Sequence, residues 1–217
     1  MQTRTLSLFP TWTLALVLSL SQGVHADQTA LNLGAGGGIN FTNSNWTLGY
    51  EFTANANIRV KQLGFYDDFE NGLTQSHVVG IWNLAGQLLT SATVTPADPL
   101  LDHFRYTAIQ PFPLSAGTNY VVGALTGNEN YSFHWSATTP AEITFVRDRY
   151  DRTATGTGIL DFPESSDGLL GAGAGYLGPN LLYSDAGAAP EPGTLALLGI
   201  GAGLLLTRTG WRRRRAA

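Results

Sequence analysis

The densest concentration of oxygen ligands in the chain is Asp67-Asp68-Phe69-Glu70-Asn71-Gly72. A hard cation such as Ca²⁺ takes several carboxylate and carbonyl oxygens on a tight turn, and Gly72 permits one. Asp67, Asp68, Glu70 and Asn71 are therefore candidate metal ligands, and Ca²⁺ is the one cofactor these residues suggest. The spacing departs from an EF-hand, which places acids at alternate positions and a Glu further on. The plainer reading is a solvated acidic turn between two strands. A glycosidase acid–base pair would need carboxyls facing each other at about 5–9 Å. Neighbouring strand residues point to opposite faces, so Asp67 and Asp68 pair poorly for that chemistry.

Other chemistries are thinly supplied. Beyond the N-terminal segment the histidines are His77, His103 and His134, and their spacing matches no zinc motif. There is no Gly-x-Ser-x-Gly elbow. Cysteine is absent, which removes thiol nucleophiles and thiolate metal sites. Lys61 is the only lysine, and Gly34-Ala35-Gly36-Gly37-Gly38 lacks the Lys-Ser/Thr of a phosphate loop. These residues predict a protein that is not an enzyme. The aromatic residues offer a different chemistry, because ring faces pack against sugar CH groups while carboxylates and amides meet hydroxyls. Trp82, alternating with Ile81, and Trp135, placed opposite Phe133, are the candidate glycan-binding rings. A one-residue register shift would exchange the faces, and core packing is the default role of any aromatic.

Short alternating runs between turn residues must position these groups. The pattern predicts strands over 47–53, 58–66, 77–83, 87–94, 104–109, 120–125, 131–135 and 143–150, with a last strand near 175–183. No stretch shows a sustained helical period. The expected class is all-β, an antiparallel β-sandwich of jelly-roll-like form. Residues 153–175, rich in Gly, Thr and Ser, read as a long surface loop. Arg147-Asp148-Arg149-Tyr150-Asp151-Arg152 reads as an edge strand guarded by charge.

The two ends of the chain carry address information. Arg4, an apolar run from Leu6 to Leu20, and Val24-His25-Ala26 have the form of a signal peptide cleaved after Ala26. At the other end, Gly193 to Trp211 would span about 28 Å as a helix, enough for one membrane crossing. Arg212, Arg213, Arg214 and Arg215 follow and would hold the tail on the cytoplasmic side. The expected organisation is a signal peptide at 1–26, a Gly-rich segment at 27–45, the sandwich at 46–185, a linker at 186–192, a transmembrane helix at 193–211 and a basic tail at 212–217. Between the targeting segments, residues 27–185 hold 6 basic and 15 acidic side chains, a net charge of −9. Such a domain will not track nucleic-acid phosphates.

Pro190-Glu191-Pro192, the apolar helix and the arginine cluster together resemble a PEP-CTERM sorting signal. The resemblance implies recognition at Pro190, Glu191 and Pro192 by an exosortase, in a Gram-negative bacterium that makes exopolysaccharide. It implies export with help from signal peptidase, transient anchoring in the inner membrane, and then the cell envelope, cell surface or extracellular matrix. A second resemblance rests on Leu63-Gly64-Phe65-Tyr66-Asp67-Asp68, Ser76-His77-Val78-Val79-Gly80-Ile81-Trp82-Asn83, Phe104-Arg105-Tyr106 and 116–124. Over about 46–183 these residues are similar to a β-sandwich domain of unknown function found in bacterial surface proteins. The expected role is non-enzymatic, structural or adhesive, beside exopolysaccharide in a biofilm. The alternatives are a carbohydrate-binding module, calcium-assisted at the Asp67–Asn71 turn, and a secreted hydrolase.

Overall fold

Alternation of apolar and polar residues is the property that lets a strand bury one face, and the computed structural model follows it closely. The structure describes residues 26–34, 38–42, 44–133, 136–151 and 158–186. Its strands are β1 (Gln28–Thr29), β2 (Asn32–Leu33), β3 (Ile39–Phe41), β4 (Thr47–Ala54), β5 (Ile58–Tyr66), β6 (His77–Asn83) and β7 (Leu88–Val94). They continue as β8 (Leu100–Leu101), β9 (Phe104–Leu114), β10 (Thr118–Leu125), β11 (Tyr131–Phe133), β12 (Ala137–Thr138), β13 (Ile143–Asp151) and β14 (Pro179–Asp185).

Two antiparallel five-stranded sheets face each other, one ordered β1-β14-β5-β9-β8 and the other β13-β4-β10-β6-β7. Each sheet interleaves early and late strands of the chain, the double wrapping of a jelly roll. Tyr50 and Phe52 of β4, Val79 and Ile81 of β6 and Val122 of β10 meet Leu63 and Phe65 of β5, Phe104 of β9 and Leu181 and Tyr183 of β14 in one core. A bulge between Val60 and Gln62 shifts the register of β5. It lets Val60 and Leu63 both point inward, although strict alternation forbids it.

The first residues after Ala26 belong to the sandwich. β1 pairs with β14 through Gln28 and Tyr183. Leu31 is 2% exposed, and its backbone exchanges two hydrogen bonds with the buried Asn180 side chain. The segment from 27 that reads as a Gly-rich lead-in therefore begins with an edge strand of the fold.

The outer face of the β13-β4-β10-β6-β7 sheet carries a furrow. Gly80 lies opposite Gly123, and Gly123 opposite Gly49, so three glycines line up across β6, β10 and β4. A side chain on Gly49 would overlap the Val122 carbonyl. Residues 159–169 cross this furrow as a strap. Leu160 sits over Gly80, Pro163 over Gly123, and Phe162 beside Trp82 at 6.2 Å. Ser165 exchanges two backbone hydrogen bonds of 3.0 Å with Tyr150 of the edge strand β13. The stretch expected as a surface loop is thus partly a cover for the sheet.

The sandwich has two unlike ends. At one, β4 turns into β5 and β9 into β10, with Gly117 N–H donating to the Ala54 carbonyl at 2.7 Å. Both outer limits of the described chain emerge here. β1 starts beside Tyr183, and the Ala186 amide donates to the Asn57 carbonyl at 2.9 Å. At the far end of β5, roughly 27 Å away for nine residues, lie the β5–β6 connection (67–76), the Asp102–His103 turn and residues 126–130. Below, these are the proximal and distal ends.

Candidate functional site at the distal end

The β5–β6 connection leaves the sheet at Tyr66 and must turn back over the sandwich end. Asp67 organises that turn. It is 1% exposed, and its two carboxylate oxygens each accept the Gly72 amide at 3.1 Å. One of them also accepts Arg105 Nε at 2.7 Å, and Arg105 Nη1 donates to the Asp98 carbonyl at 2.9 Å. A buried carboxylate requires such partners. Asp68 turns elsewhere and accepts Asn130 Nδ2 at 2.6 Å, while Asn130 Oδ1 accepts the Thr42 hydroxyl at 2.5 Å. Glu70 pairs with His103 Nδ1 at 2.9 Å. Asn71 is exposed beside Gly72. Further along, Glu129 accepts both the amide and the hydroxyl of Thr74.

The carboxylates expected as calcium ligands do not meet at one point in this structure. Asp67, Asp68 and Glu70 diverge to three different partners, and Asp67 is saturated by a guanidinium and an amide. Among the described residues no group of three or more His, Cys, Asp or Glu is placed to hold a metal ion. The oxygen-rich turn is a set of latches that fastens the β5–β6 connection to β9 and to the 126–130 loop.

Trp82, the other candidate ring, is covered. Alternation with Ile81 does put it on the outer face of β6, but the strap covers that face, and Trp82 is 3% exposed. It is a packing residue between the sheet and Phe162. Trp135, with His134, lies outside the described residues, as do the signal segment before Ala26, the sorting motif Pro190-Glu191-Pro192, the 193–211 segment and Arg212–Arg215. Ala26 itself is exposed. Among the described residues no helix is long and apolar enough to cross a membrane.

What residue-type reasoning missed is Phe69. It is 80% exposed at the tip of the distal turn and has φ of 63°. Glu70 follows at 57°. Left-handed backbone is costly for residues with a Cβ, and more so for a bulky one. The other described non-glycine residues with positive φ are Ser44 at 58° and Asp102 at 52°, both also in distal loops. For Phe69 and Glu70, the partners Arg105, Asn130 and His103 that fasten the turn lie more than 30 positions away, where no local pattern can show them.

Two further groups brace the turn. Tyr66 donates to Asn40 Oδ1 at 3.2 Å, and burial together with the neighbouring Asp68 carboxylate pushes its hydroxyl up to about 12. His77, the first residue of β6, stacks flat on Phe65 with ring centroids 3.8 Å apart. Its Nδ1 lies 3.0 Å from the Leu125 carbonyl. Burial lowers the pKa of the ring, against smaller opposing contributions from the Leu125 bond and Glu129, and keeps it neutral.

Comparison with known families follows the same division of the chain. Residues 37–168 match the family described as "Domain of unknown function (DUF4082)". Residues 188–215 match the PEP-CTERM protein-sorting motif. No curated protein matches the chain. The family match starts inside the Gly-rich segment and stops before β14, so the strand that leads into the sorting motif lies beyond it. No enzyme family is indicated, and the sorting motif implies export, a membrane-anchored C-terminal signal, exosortase processing and arrival at the cell surface. With well over half its length matched, the chain belongs to the DUF4082 family, in a form carrying a PEP-CTERM sorting signal.

Proposed function

We propose that this protein is a non-enzymatic structural or adhesive component of the exopolysaccharide layer, with its distal loops facing outward. The observation that carries this reading is the common exit of the two chain ends. Ala186 is fastened to Asn57 at the proximal end, beside the start of β1. The sorting motif begins four residues further along the chain. In the precursor, a signal peptide ending at Ala26 and a transmembrane helix at 193–211 would tether the folded domain to the inner membrane from one side. Signal peptidase and exosortase would act next to each other there. The carboxylates that suggested catalysis are engaged in holding loops, which supports a scaffold rather than a hydrolase.

The test is made in the producing cell with the full chain. A strain lacking the gene is complemented with the wild type or with a variant carrying Pro190→Ala, Glu191→Ala and Pro192→Ala. Wild type is expected in the surface and matrix fraction, shortened at its C-terminus, with the matrix restored to normal cohesion. The variant is expected to stay full length in the membrane fraction. Unchanged matrix cohesion in the strain lacking the gene would overturn the structural role.

A further inference from the structure

We infer that β7 is a docking edge for a second copy of this chain, the two β7 strands pairing antiparallel across a two-fold axis. The pairing itself rests on the fold. The moment at which it forms rests on the tethering proposed above.

A strand at the end of a sheet leaves one row of N–H and C=O groups unpaired, and folds guard such rows. The other edges of the two large sheets are guarded. β1 and β8 are two residues long. β13 carries Arg147, Asp148 and Arg149, and the strap bonds to it at Tyr150. β9 is open beyond its short pairing with β8, and there Pro111 and Pro113 remove donors. β7 has none of these devices. It ends its sheet, is seven residues long and, among the described residues, pairs only with β6. Leu88-Leu89-Thr90-Ser91-Ala92-Thr93-Val94 holds no charge, proline or glycine, the composition of a segment that pairs with its own kind.

The flank around this edge is also unfinished. Leu89 and Ala92 of β7, and Ile109 and Phe112 of β9 across the sandwich, pack on the core yet stay only partly buried. On the β6–β7 hairpin, Leu84 and Leu88 are 50% and 47% exposed. A strand added beside β7 covers side chains on both faces of the sheet.

Charge selects the partner. Residues 27–185 carry a net charge of −9, so two copies repel each other across most approaches. Residues 71–97, which include the whole hairpin, contain no Asp, Glu, Lys or Arg. Copies that meet along β7 bring none of the surplus charge into contact. A two-fold axis joins like edges only when the strands run antiparallel, because a parallel pair would set each amide against its own counterpart.

This geometry has a consequence for timing. Asn83 lies opposite Tyr120, toward the proximal end, and Val94 lies opposite His77 at the distal end. Antiparallel pairing therefore lays the proximal end of one copy beside the distal end of the other. Two precursors held by their proximal ends in one membrane cannot adopt it, whereas released chains can. Pairing follows exosortase cleavage and links copies in the outer layer.

The experiment uses protein from the producing cell. The chain has no cysteine, so Ser91→Cys places a single thiol at the middle of β7. Opposite residues of an antiparallel pair have Cα atoms about 4.5–5.5 Å apart, a distance that a disulfide spans. Thr144→Cys, on the exposed side of β13, is the control. Each is made in the normal chain and in the uncleaved variant carrying Pro190→Ala, Glu191→Ala and Pro192→Ala. Mild oxidation should link processed Ser91→Cys into a dimer, and should link neither Thr144→Cys nor the uncleaved precursor. Processed wild type should sediment as a dimer, and Ser91→Lys as a monomer with an unchanged circular dichroism spectrum and thermal midpoint. Monomeric wild type without a Ser91→Cys dimer, equal linking at Thr144→Cys, or a Ser91→Lys dimer would each overturn the edge. Linking in the precursor as well would keep the edge and overturn the one-sided tethering. A strain lacking the gene whose matrix cohesion is normal would overturn the structural role and leave the dimer standing.

Discussion

The strap over the glycine furrow and the distal turn are fastened by the same device and reach opposite results. Asp148 on β13 is fully buried and accepts Ser166 Oγ at 3.0 Å, the Asp167 amide at 2.8 Å and the Leu169 amide at 2.7 Å. Next to it Glu51 holds Arg149, whose Nη1 donates to the Glu164 carbonyl at 2.9 Å. In the distal turn, Asp67 accepts an amide and an arginine in like manner. On β13 the buried carboxylate gathers donors from a distant loop, and in the turn it gathers an amide of the turn itself and an arginine of β9. The strap uses the fixation to press Phe162 onto Trp82 and hide both, whereas the turn uses it to hold Phe69 in water. A carboxylate lock is therefore neutral as to function, and the fate of the neighbouring ring tells the two apart.

The contrast can be broken most severely at the hidden ring. Trp82→Ala should cost about 3–5 kcal/mol, the range for deleting a large buried aromatic, read from thermal or urea unfolding. Asp148→Ala should cost about 3 kcal/mol, because three donors lose their acceptor. It should also raise acrylamide quenching of tryptophan fluorescence, as the strap lifts from Trp82. Unchanged quenching would show that apolar packing alone keeps the strap down. Asp67→Ala should cost about 2 kcal/mol, leaving Arg105 and the Gly72 amide without their acceptor, and it should not alter tryptophan quenching.

A milder effect sharpens the account of the distal end. His77 is neutral in the folded protein and has a pKa below the ordinary 6.5, chiefly through burial. The unfolded chain takes up the proton first as pH falls. The stability from neutral His77 is thus complete above about pH 6.5 and is lost progressively below it, with a slope of up to about 1.4 kcal/mol per pH unit. His77→Phe, which keeps a ring against Phe65, should flatten that slope in unfolding measured from pH 7 to 5. The smallest change is a gain. Phe69→Asn should stabilise the protein by about 0.5–1 kcal/mol, since Asn tolerates the left-handed backbone that Phe resists. Loss of stability in this variant would mean that Phe69 packs in solution.

Much of the sandwich was legible in the chain. Ile58–Tyr66 and His77–Asn83 coincide with the strands expected from alternation, because a strand with one face in a core must repeat every second residue. Phe104–Leu114 runs five residues past its expected end, since Gln110 and Pro111 break the pattern in the part of β9 beyond its short pairing with β8, where Pro is tolerated. β1 was hidden because two residues carry no period. Trp82 shows the limit of alternation: it assigned the correct face of β6 but had no knowledge of the strap, some 80 residues later, that covers that face. The same limit applies to Asp67 and Asp68, whose composition indicated oxygen ligands but not the Arg105 and Asn130 that claim them.

Composition and local order were therefore enough for the antiparallel β class, the acidic exported domain and the sorting signal, because each depends on neighbours in sequence or on totals. The pairing of β1 with β14, the glycine furrow and its strap, the destinations of the carboxylates and the display of Phe69 were decided only when distant segments met. Their physical causes are burial and donor–acceptor matching between residues far apart in the chain, which no local pattern encodes.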